Sequence, residues 1–121
     1  MNINELVQQA HENAVSKGFW EDWDIIGIIA ESDLTNSRKM ELAKITENEL
    51  ISTRLMLITS ELAEAQEALR KDDIDNFKEE LADVCIRVFD LCGGLDIDLE
   101  AEIIKKMEKN KSRPRLHGKA F

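Results

Sequence analysis

Apolar residues recur along this chain with the period of helices. Leu6, Val7, Ala10, Ala14 and Val15 line one helical face, which predicts a first helix capped by Asn4, running to about Lys17 and ended by Gly18. A longer stripe follows at Leu50, Ile51, Leu55, Ile58, Leu62, Ala65 and Leu69. No Gly or Pro interrupts the chain from Asn36 to Arg70, so one long helix capped by Asn36 or Ser37 is expected there. Leu81, Val84, Cys85, Val88, Leu91 and Cys92 form the stripe of a third helix, capped by Asp72 or Asp73 and stopped by Gly93 and Gly94. Asp96 or Asp98 then begins a fourth helix that ends near Asn110. Between Phe19 and Asn36 the pattern is weakest: Trp20, Trp23 and four isoleucines broken by Gly27 predict a short helix and a loop. The expectation is an all-α single domain over residues 1–121, a bundle of four to five helices with a basic tail over 111–121.

Composition agrees, since one proline, five glycines and no tyrosine suit helices rather than a turn-rich β fold. The net charge of -9 sets a repulsive field against nucleic acid polymers, whose binding depends on cationic contacts to phosphate. No stretch approaches the roughly 20 apolar residues of a membrane span, and Met1 to Ala10 has no basic region followed by an apolar core. Cys85 and Cys92, one heptad apart in an apolar stretch, read as small buried residues in a reducing cytoplasm. A cytoplasmic protein without nucleic acid or membrane partners is expected.

The charge becomes informative by position. Glu61 falls inside the edge of the long helix's apolar stripe, between Leu57, Ile58, Ala65 and Ala68, and Glu64 sits beside it at i+3. Glu80 and Asp83 repeat that spacing on one flank of the third helix. A short connection from Lys71 to Asp73 makes the two helices antiparallel, which can bring both pairs face to face as a hard, oxygen-rich site for Mg²⁺ or Mn²⁺. Any one of them alone reads as an ordinary solvated acid on a helix surface; four carboxylates facing one another without a cation would repel. The Glu-x-x-His signature of di-iron bundles is missing, and neither His11 nor His117 falls in these helices.

Glu61-Leu-Ala-Glu64 followed by Glu80-Leu-Ala-Asp83 resembles the E-x-x-E and later E-x-x-D of the MazG-like all-α nucleotide pyrophosphohydrolases. The segment from Lys106 through Asn110 and Arg113 to Lys119 is similar to that family's C-terminal K-x-x-x-N-x-x-R. One departure is Ser60, where many members carry a further glutamate. The resemblance implies Mg²⁺-dependent hydrolysis of a nucleoside triphosphate to monophosphate and pyrophosphate. Glu61, Glu64, Glu80 and Asp83 would hold the metal, and Glu61 would also serve the attacking water. Lys106 and Asn110, which share a face at i and i+4, and Arg113 would bind the substrate. It further implies a homo-oligomer, dimer or tetramer.

Trp20 and Trp23 could stack on a base, but tryptophans in a small helical domain more often fill the core. Ile86 and Phe89 are expected opposite the acids, as a second apolar surface for a partner copy. Phosphoribosyl-ATP pyrophosphatase, a dimeric dUTPase and a non-catalytic helical interaction module stay open as alternatives.

Overall fold

The computed structural model describes residues 1–121 as helices and connections without a strand. The α-helices are α1 (Ile3–Ser16), α2 (Ile25–Ala30), α3 (Asn36–Arg70), α4 (Ile74–Gly94) and α5 (Leu99–Lys111), with 3-10 turns over Glu21–Asp24 and Arg115–Gly118. None is long and apolar enough to cross a membrane. The antiparallel α3 and α4 make the most extensive packing, α1 covers α4, and α2 and α5 lie against α3 and α1 respectively.

Short polar side chains fix where helices begin. Asp73 and Asp98 cap α4 and α5, each accepting at 3.1 Å from the N–H of the residue three further on, Asn76 and Ala101. The other two caps lie slightly upstream of the expected positions. Asn2, not Asn4, caps α1 by accepting from Glu5 N, and Thr35, not Asn36 or Ser37, caps α3 by accepting from Arg38 N. Asn4 instead joins two helices. Its amide donates to Asp98 Oδ1 at 3.1 Å, while Ile3 N donates to Glu100 Oε1 at 3.0 Å, which ties the starts of α1 and α5 together.

Three helices end alike. The residue past the cap turns to positive φ, at Gly18 (87°), Asp72 (55°) and Asp96 (54°). The following N–H then bonds back across the turn, Phe19 to Ala14, Asp73 to Ala68 and Ile97 to Cys92. Aspartate tolerates this conformation better than most side chains because its short carboxylate finds local partners. Gly93 and Gly94, expected to stop the third helix after Cys92, therefore lie inside it. Their missing side chains admit neighbours: a Cβ on Gly93 would stand 2.6 Å from His11 Cβ, and one on Gly94 would overlap the Trp20 ring.

The buried residues are Val7, Ala65, Ala68, Leu91 and Cys92. On α3 the buried positions are two small residues, Ala65 and Ala68, and the larger apolar residues of the stripe are less enclosed. Leu62 and Leu69, expected in the core, are 50% and 55% exposed, and Leu55 and Leu81 are also exposed. The cysteines divide: Cys92 is buried, whereas Cys85 is exposed, and neither forms a disulfide.

Candidate active site

The antiparallel register of α3 and α4 brings Glu61 and Glu64 against Glu80, with one oxygen from each lying within 4.8 Å of the others. Glu80 bears the cost of this crowding. Burial first, then Glu64 and Glu61, push its carboxyl up to about 7, and its Oε2 is buried without a hydrogen-bond partner. Glu61 goes the other way, because Arg87 Nε donates to its Oε1 at 2.8 Å and holds its carboxyl below the usual range despite burial. Asp83 stands outside the three-carboxylate group, yet its charge contributes to the shift of Glu80, and it lines the same hollow as Glu61. An oxygen-only donor set with an orphaned buried oxygen fits a hard divalent cation.

Beyond the acids, α4 presents Arg87 and Asp90 on the same face as Asp83. Asp90 Oδ1 accepts from the Trp20 indole at 2.8 Å and from His11 Nδ1 at 2.9 Å, so one carboxylate oxygen joins α1, the segment before α2, and α4. Trp20 and Trp23 do not form a closed core. Their rings lie 4.0 and 5.3 Å from the Arg54 guanidinium, which also pairs with Asp22 at 2.8 Å. Arg54 thereby pins the tryptophan segment to α3.

Two adjoining cavities result. The larger, about 430 Å³, is bounded by Gly18, Phe19, Thr53, Arg54, Leu57 and Asp90 among others; the smaller, about 240 Å³, includes Ala10, Asn13, Glu61, Asp83 and Ile86. Phe19, Arg87 and Asp90 border both. Ile86, expected opposite the acids, thus lies beside Asp83, because the helical step from 83 to 86 keeps both on the flank facing α1.

The family model for the MazG nucleotide pyrophosphohydrolase domain matches residues 50–117. The chain belongs to this family. Comparison with curated proteins and with solved structures gives no match. In this MazG domain the matched region supplies the second half of α3 and all of α4, which carry every clustered carboxylate. The cavity walls formed by α1 and Gly18 to Asp22 lie outside the match. The clustered acids therefore lie wholly within the match, whereas the space beside them is shared between matched residues of α3 and α4 and residues that precede the match.

The C-terminal candidates are not drawn to this site within one chain. Lys106 and Arg113 are exposed and neither forms an ion pair, and Asn110 is half-buried with its Oδ1 enclosed and unpartnered. None of the three lines either cavity. Sequence reasoning passed over Arg54, Arg87 and Asp90. A signal for the last two was present, since Asp83, Arg87 and Asp90 follow at i, i+4 and i+7 through an otherwise apolar stretch.

Proposed function

We propose that this MazG domain hydrolyses a nucleoside triphosphate at the α–β phosphoanhydride bond, giving a nucleoside monophosphate and pyrophosphate. The observation that carries the reading is the three-carboxylate cluster, whose Glu61 also lines a cavity of about 240 Å³, with family membership behind it. Glu61, Glu64 and Glu80 would hold Mg²⁺ or Mn²⁺, with Asp83, which lines the same hollow as Glu61, as the fourth carboxylate of the set. Such an ion supplies charge neutralisation along the phosphate chain and makes water more acidic. Glu61 would take the proton as water adds and the bridging oxygen leaves with pyrophosphate, a role supported by its membership of both the hollow and the cluster. Lys106, Asn110 and Arg113, which line neither cavity of one chain, would serve the substrate only from a neighbouring copy in the homo-oligomer.

The working unit is a homo-oligomer, dimer or tetramer. A folded monomer of 13.8 kDa exposes about 6,600 Å², whereas this chain exposes 9171 Å². The excess of about 2,500 Å² is well above the roughly 800 Å² that each partner contributes to a standard interface. Leu55, Leu62 and Leu69, at heptad spacing on α3, give that surface its apolar character. The free cysteines suit a reducing cytoplasm.

The test is incubation of the purified protein with Mg²⁺ and each of a panel of canonical and modified triphosphates, followed by chromatography of the products. Monophosphate plus pyrophosphate, lost on chelation, is expected. Absence of turnover across the panel would move the weight to a non-catalytic helical interaction module.

A further inference from the structure

Two arginines face the larger cavity, and they are engaged very differently. Arg54 is consumed by the protein: Nη1 donates to Leu50 O, Nη2 donates to Phe19 O and to Asp22, and the side chain is 10% exposed beneath two indole rings. Arg87 makes a single side-chain hydrogen bond, from Nε to Glu61, and its side chain is 33% exposed. A guanidinium has five N–H donors in one plane, so the four on the Nη atoms of Arg87 have no protein acceptor. The residue also stands where the cavities meet, bordering both the acidic hollow and the larger space.

We infer that Arg87 is a substrate-binding residue whose free Nη edge takes non-bridging phosphate oxygens, an inference that rests on the triphosphate reading above. The chain carries a net charge of -9 and gathers three carboxylates at the site, so a polyanionic substrate needs a local cation in addition to any metal. Arg87 is the cation in direct contact with the cluster. Its two Nη groups form a planar fork that matches two phosphate oxygens, and Nε can keep Glu61 at the same time. One side chain then ties the position of the phosphate chain to a carboxylate of the cluster.

The alternative is that Arg87 only holds Glu61 in place. Calorimetry on the full chain separates the two, using Mn²⁺ alone and, in Mg²⁺, nucleoside triphosphates with a methylene bridge between the α and β phosphorus. Arg87→Gln is expected to weaken analogue binding by about ten-fold or more while Mn²⁺ affinity stays equal or rises, since the variant removes a phosphate contact and a cation that competes for Glu61. KM should rise more than kcat falls, and Arg87→Lys should recover part of the loss because it keeps charge without the fork. Unchanged analogue affinity in Arg87→Gln, or a loss that only follows weakened Mn²⁺ binding, overturns the role. Should Arg87→Gln fail to fold, Arg87→Lys carries the test, with about three-fold or greater loss expected and wild-type affinity contradicting the inference. Wild-type protein that binds Mn²⁺ but no analogue overturns the triphosphate reading itself, a result distinct from an Arg87 variant that matches a binding-competent wild type.

Discussion

Gly94 leaves the space that the Trp20 ring occupies: a Cβ there would overlap the indole. The contact places the tryptophan against α4, where its N–H reaches Asp90 and its face receives Arg54. Gly94→Ala should therefore destabilise the protein by about 1–3 kcal/mol, the usual range for overpacking. Gly27, in the short α2, has nothing within 4 Å of an added Cβ, and Gly27→Ala should stabilise by about 0.5–1 kcal/mol through helix propensity alone. Urea melts of both variants check the contrast; equal effects would mean that Trp20 does not pack on Gly94.

Glu80 predicts an unusual pH dependence. Its folded-state carboxyl is raised from 4.5 to about 7, so the metal-free protein binds more protons folded than unfolded between those values. Its contribution to stability is full below 4.5 and is lost as pH rises toward 7. Glu61, held low by Arg87, acts in the opposite sense and loses its contribution as pH falls through its depressed value. Thermal melts between pH 4.5 and 8 should show the Glu80 decline without metal and its removal by Mg²⁺ or Mn²⁺. Glu80→Gln should flatten the same slope.

The cluster should be needed for turnover as a unit. Glu64→Gln and Glu80→Gln are each expected to lower kcat/KM by about 100-fold or more, with circular dichroism unchanged. Near-normal turnover in both, at saturating Mg²⁺, would place the metal elsewhere.

Lys106 belongs to an exposed face of α5 away from both cavities of one chain. As a phosphate ligand it should raise KM by about ten-fold on Lys106→Ala with little change in kcat. Unaltered kinetics would mean a solvated basic helix end.

Leu62 lies half exposed on α3 with Leu55 and Leu69 one heptad to either side. Leu62→Glu should shift the protein toward monomer in analytical ultracentrifugation, because a buried unpaired charge in an apolar interface is costly. A wild-type chain that sediments as a monomer would refute the oligomer.

The sequence by itself determined the helices and the paired acids, because both depend on local periodicity. Apolar residues at helical spacing placed four of the five helices to within a few residues, and E-x-x-E with E-x-x-D put each carboxylate pair on one flank of its helix. The tertiary structure decided what those faces meet. Whether Leu62 was core or surface depended on which part of the α3 stripe the neighbouring helices cover, and Gly93 and Gly94 looked like terminators until His11 and Trp20 filled their space. Arg87 could not be assigned to Glu61, nor Asp90 to Trp20 and His11, without the antiparallel register and the fold of the N-terminal segment over α4. Such pairs lie 26 to 79 residues apart in the chain, and local pattern carries no information over that separation because packing, rather than propensity, brings the groups together.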